Sequence, residues 1–183
     1  FGSTNRTNDG FTVSITNYSA SYTFTATITP SVSGASAGID ASGLLTVSGL
    51  TAGASATVVV TTTRANYNSG SASVTGTALA SGLTAAFGPV TQTSDGFTVQ
   101  TTNYDASYIW TFSVSGVNAV VSYPFTSNGK QYAIAVTGLA PGASATITVT
   151  TSKSGFADTS ATLTSSALTG VALTPTFGTA TST

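Results

Sequence analysis

The chain has 183 residues, only 9 of them charged, a net charge of −1, and no His, Cys, Met or Glu. Without His or Cys the usual zinc, haem, copper and iron–sulfur ligands are gone, as is the side chain that most often moves protons near neutral pH. So few Lys and Arg argue against nucleic acid as a partner, and no apolar run approaches the roughly 20 residues that insert across a bilayer.

In place of charge stand 27 Ser and 38 Thr. A hydroxyl-rich chain of low charge could be a mucin-like stalk, but 40% of the residues are hydrophobic and the mean hydropathy is positive. Disordered chains combine low hydrophobicity with high net charge, the reverse of both. Thr, Val, Ile, Tyr and Phe favour strands, so the composition predicts an all-β protein. With no Cys to form a disulfide, apolar packing has to hold it.

In chain order, a short first strand is expected after Phe1-Gly2. Asp9-Gly10 marks a tight turn into Gly10–Thr16, where Phe11, Val13 and Ile15 alternate with hydroxyl residues. Tyr22–Ile28 alternates again, with the aromatics on one face. A middle strand of variable length follows, then one with Leu45 and Val47 inward and one with Ala56, Val58 and Val60 inward. The last strand is expected to carry Ala72 and Val74.

The same series then begins again. Phe1-Gly2 recurs as Phe87-Gly88 and as Phe177-Gly178; residues 1–29 match 87–115 at 15 of 29 positions, and residues 47–63 match 136–152 at 11 of 17. The counterparts of the inward residues are Phe97 and Val99, Trp110 and Phe112, Ile134 and Val136, Ala145, Ile147 and Val149, then Ala161 and Leu163. A period near 90 is too long for a solenoid unit and suits a sandwich of about 100 residues. The expected organisation is therefore two tandem seven-stranded β-sandwiches, end to end: residues 1–86, residues 87–176, and 177–183 as the start of a third repeat or a C-terminal strand. The connectors Leu79–Ala86 and Ala167–Thr176 hold too few Gly or Ser to be long floppy tethers. With no signal peptide ahead of Phe1, a mature product or a slice of something longer is expected.

The run Gly138-Leu-Ala-Pro-Gly142-Ala-Ser-Ala-Thr-Ile-Thr-Val-Thr-Thr, with Gly155-Phe156 after it, resembles the end of a fibronectin type III domain; the first copy has Gly49-Leu-Thr-Ala-Gly53 and Tyr67. Phe24 and Trp110 take the place of that family's core aromatic on the third strand. Ile39-Asp-Ala-Ser-Gly-Leu-Leu-Thr-Val-Ser-Gly-Leu-Thr-Ala-Gly is similar to the matching stretch of bacterial immunoglobulin-like repeats. The resemblance implies tandem modules of a large extracellular surface protein. One departure is the family's tyrosine corner, whose place is held by Ala56 and Ala145. No Arg-Gly-Asp occurs.

Few residues suggest chemistry. A Ser nucleophile would have only Lys or Asp as base, and no catalysis is expected. No cofactor and no metal is expected; Asp9 and Asp95 recur singly, as turn formers do. Lys130, in an exposed Ser127-Asn128-Gly129 turn, and Lys153 are candidates for an isopeptide bond of the kind similar surface domains form, with solvated surface charge as the plainer reading. Tyr18 and Tyr104, each after an Asn, are weak candidates for stacking on sugar rings, or else they fold over the end of the core. Asn5-Arg6-Thr7 and Asn17-Tyr18-Ser19 fit the N-glycosylation pattern. The expected role is a structural, adhesive spacer at a bacterial cell surface, whose partners are neighbouring repeats. Two alternatives stand beside it: a filament or sheath subunit joined to other copies by strand exchange at sparsely charged edges, with Phe177–Thr183 as donor, and a carbohydrate-binding module.

Overall fold

A computed structural model describes residues 1–123, 133–170 and 176. Among them are fourteen strands and no helix, as the composition predicts. They form two compact units: Phe1–Leu83 with Ser152–Asp158, and Thr84–Thr151 with the chain from Thr159 onward. Within the first, Ala80 ties Ser152–Asp158 on, donating its N–H to Gly155 O at 3.0 Å and accepting from Ala157 N–H at 2.8 Å. The expected strand at 177–183 lies outside the described residues.

In the first unit the strands are β1 (Asn5–Thr7), β2 (Gly10–Ser14), β3 (Thr23–Ile28), β4 (Ser36–Ile39), β5 (Leu44–Ser48), β6 (Ser55–Thr63) and β7 (Gly70–Thr77). They pair antiparallel into two sheets, ordered β1-β2-β5-β4 and β3-β6-β7. Because strand side chains alternate, the pairs Phe11↔Val47 and Val13↔Leu45 bring the apolar residues of β2 and β5 to one face. Those four join Ala56, Val58 and Val60 of β6 in one buried cluster, against which Phe24, Ala26 and Ile28 of β3 pack. Each fully buried aliphatic or aromatic side chain contributes roughly 1.5–3 kcal/mol, and no disulfide or ion pair is needed to assemble this core.

The second unit holds β8 (Thr91–Thr93), β9 (Gly96–Gln100), β10 (Ile109–Ser115), β11 (Val120–Ser122), β12 (Ala133–Thr137), β13 (Ser144–Ser152) and β14 (Thr159–Ser166). Its sheets run β11-β12-β9-β8 and β10-β13-β14. Phe97, Val99, Trp110, Ile134, Val136, Ala145, Ile147 and Val149 are buried, the counterparts of the first core.

Outward positions satisfy one another with hydroxyls. Thr57 and Thr75 Oγ1 lie 2.7 Å apart across β6 and β7, and Thr146 and Thr164 repeat the pair at 2.7 Å. Such cross-strand pairs contribute a few tenths of a kcal/mol to about 1 kcal/mol each.

The last strand departs from expectation. Ala72 is exposed and Val74 only half-buried, because β7 is the outer strand of its sheet. The residue it buries is Gly76, against the Phe11 ring. Ala161 and Leu163 in β14 are likewise only half-buried.

Candidate functional site

The residues retained between the two repeats go first into turns. Thr7 pairs with Gly10 and Thr93 with Gly96, leaving Asn8-Asp9 and Ser94-Asp95 as two-residue hairpin turns. The Asp9 carbonyl accepts Leu50 N–H at 2.8 Å, and the Asp95 carbonyl accepts Leu139 N–H at 2.9 Å. The carboxylates receive the hydroxyls of Thr7 (3.3 Å) and Thr93 (3.1 Å). Gly10 and Gly96 lie flush on the facing strand: a Cβ on either would sit 2.7 Å from the carbonyl carbon of Val47 or Val136. Gly49 and Gly138, each just before the bonded Leu, adopt φ +79° and +86°, a conformation that favours glycine. The Asp–Gly and Gly–Leu motifs are thus halves of one clamp, built twice.

The closing strap is also built twice. Ala78 N–H donates to Ala54 O, Leu79 N–H to Thr7 O and Gly53 N–H to Leu79 O, at 2.8–2.9 Å. Ala167, Leu168 and Gly142 repeat the set with Ala143, Thr93 and Leu168, at 2.9–3.1 Å.

Tyr18 and Tyr104 occupy equivalent places at the end of the core. Both are half-buried. Tyr18 stacks at a tilt on Phe24, with centroids 4.9 Å apart, and Tyr104 does so on Trp110 at 5.5 Å. Tyr18 also covers Gly43, where a Cβ would come 2.5 Å from its Cβ and Cγ. Trp110 donates its indole N–H to the Asp105 carbonyl at 3.0 Å, and Asp105 Oδ1 accepts Ser107 N–H at 2.8 Å. Ser19, in the place of Asp105, bonds Ser21 through its hydroxyl instead.

Asp40 caps its own turn: Oδ1 accepts Ser42 Oγ at 2.6 Å, Ser42 N–H at 2.8 Å and Leu44 N–H at 2.9 Å. The Ser42 hydroxyl, followed by the Leu44 amide, holds its carboxyl below the usual aspartate value. Among the described residues no three acidic side chains come together as a metal-binding group. Lys130 lies outside the described residues. Lys153 Nζ stands 4.7 Å from the centre of the Phe156 ring.

Sequence reasoning missed the setting of Arg64, the counterpart of Lys153. Its guanidinium lies 4.7 Å from the Tyr67 ring centre and 5.3 Å from that of Tyr22, and Tyr67 is 58% exposed. The signal was present as a cation followed three residues later by an aromatic, in both repeats. Sequence reasoning also missed Asn103, whose side-chain oxygen accepts Ala86 N–H at 2.8 Å while its amide donates to Thr84 O at 2.8 Å.

No protein-family model and no curated protein matches the chain. Among solved structures the chain is similar to a marsupial T cell receptor, with 8% identity, 88% of this chain and 91% of that chain covered, and a TM-score of 0.28.

Proposed function

We propose that the chain is a pair of tandem seven-stranded β-sandwiches of the immunoglobulin and fibronectin type III kind, acting as a non-catalytic spacer in a long bacterial surface protein. The observation that carries this reading is where the recurring residues are used. Asp9 and Asp95, Gly10 and Gly96, Gly49 and Gly138, and the Tyr18 and Tyr104 rings all go into clamps and core ends rather than into a shared pocket. What repeats is a scaffold. Its outward faces carry hydroxyls in place of charge, so its solubility depends little on salt or pH, as suits a module outside a cell. An antibody raised against the folded chain tests the location. Labelling of intact cells, removed by protease shaving, is expected; a signal seen only after lysis contradicts the proposal.

The sheet edges favour a second reading. The outer strands β1, β3, β4, β7, β8, β10, β11 and β14 carry a single charged residue between them, Arg6. Charge is the usual guard against edge-to-edge pairing, so other copies are natural partners for a filament or sheath. Size-exclusion chromatography with light scattering at millimolar concentration decides: a strict monomer removes the filament reading, and growth with concentration supports it.

A further inference from the structure

The two repeats differ at the end of the core where Phe1 and Phe87 enter. In the second repeat, Thr84–Ala86 is seated on the unit it leads into. Thr102 N–H donates to Ala86 O at 2.9 Å, and Asn103 grips both sides of Ala85, accepting from Ala86 N–H and donating to Thr84 O, each at 2.8 Å. Ala85 is 6% exposed, and in the same unit Thr101 and Thr151 are fully buried.

The first repeat carries the same fittings without a segment on them. Thr16 and Asn17 stand where Thr102 and Asn103 stand, both exposed, and neither makes a hydrogen bond among the described residues. The counterpart of Thr151, Thr62, is only half-buried, and Ala72 is exposed where its counterpart Ala161 is half-buried. Between them runs a groove of about 510 Å³ lined by Phe1, Ile15, Asn17, Phe24, Thr62 and Ala72.

We propose that this groove is a peptide-binding site for a connector segment: an extended Leu-Thr-x-x stretch joined directly to Phe1, as Leu83-Thr84-Ala85-Ala86 is joined to Phe87. The inference rests on the likeness of the two repeats and holds whatever the protein's location. Small side chains are required at the third position, since Ala85 lies buried there. The backbone around it offers two carbonyls and one N–H to the Asn side chain and the Thr amide. The chain spells the pattern once more, as Leu173-Thr174-Pro175-Thr176 before Phe177. Proline suits that third place, because among the described residues no hydrogen bond draws on Ala85 N–H. A second copy offering that segment in trans would bring its Phe177 onto Phe1, so the occupant assigned is the covalent one.

Three forms of the full chain test this. One is extended before Phe1 by Ser-Gly-Leu-Thr-Ala-Ala, one by six residues of Gly and Ser, and one carries the first extension with Asn17→Ala. The connector extension is expected to slow hydrogen exchange at the Thr16 amide about tenfold and to raise the thermal midpoint by about 5 °C. Asn17→Ala, an exposed change that leaves the unextended chain unaltered, is expected to remove most of both gains. In the unmodified chain, Asn103→Ala is expected to speed exchange at Thr102 by a similar factor. Equal protection from the Gly-Ser extension, or gains that survive Asn17→Ala, overturn the proposal. So does protection of Thr16 in the unextended chain that grows with concentration, which assigns the groove to a second copy.

Discussion

Replacing Gly10 by Ala tests the clamp between the hairpin turn and the facing strand. The added Cβ would collide with the Val47 carbonyl oxygen and fall 2.7 Å from the Val47 carbonyl carbon and 3.2 Å from Ser48 Cα, all backbone atoms that no rotamer change can move away. Ordinary carbon–carbon contact begins near 3.5 Å, so β2 and β5 must part by about 1 Å. A shift of that size breaks the 2.8 Å bond from Leu50 N–H to the Asp9 carbonyl and the 3.3 Å bond from Gly49 N–H to Asp9 Oδ2. Two lost bonds at about 1 kcal/mol each, with about 1–3 kcal/mol of overpacking, outweigh the 0.4–1 kcal/mol gained by stiffening the unfolded chain. The net cost is about 3 kcal/mol, or roughly 15 °C in the midpoint of a unit this size. Gly96→Ala meets the same atoms at the same distances on Val136 and repeats the experiment in the other unit. Gly38→Ala in β4 is the control: its Cβ meets nothing within 4 Å, and it is expected to be neutral or slightly stabilising. Differential scanning calorimetry of the three variants gives the answer. If Gly10→Ala melts with Gly38→Ala, the close approach is not what keeps glycine there.

Phe11→Ala, at a fully buried site in the first core, is expected to cost about 3–5 kcal/mol in urea unfolding. Tyr18→Ala removes a ring stacked on Phe24 and is expected to cost about 2 kcal/mol; on a glycan array, binding lost on Tyr18→Ala or Tyr104→Ala would restore the sugar-stacking reading. The melting midpoint is expected to stay level from pH 8 to about pH 4, since no His titrates in that range. Asp40 has its folded pKa below the ordinary 3.8, so its contribution is complete above that value and is lost as pH falls through the lower folded one. Between 0.05 and 1 M NaCl at neutral pH the midpoint is expected to move by less than about 3 °C, and a larger shift would show that charge does more than nine residues suggest.

Alternation made most of the core legible in the sequence. Phe11, Val13, Leu45, Val47, Val58 and Val60 are buried where the period of two places them. The outer strands were less legible. Alternation puts Ala72 and Val74 inward, but β7 is the last strand of its sheet, and only Gly76 near its end, with Ala78 just beyond it, is deeply buried. Periodicity finds which residues share a face, and it does not reveal where the face runs out of cover. The Asn103 clip was illegible for another reason. Its partners are backbone groups of Thr84 and Ala86, which any residue could supply. Asp9 and Asp95 read correctly as turn residues, yet their bonds to Leu50 and Leu139 depend on strand order, which local pattern does not encode.

The proposed spacer role meets its most direct test in the complete reading frame that contains this chain. Many further copies of the ~90-residue unit are expected there, each with a Phe-Gly entry, an Asp-Gly hairpin and a Gly-Leu clamp. A frame in which these two repeats stand alone beside a single catalytic domain would contradict it.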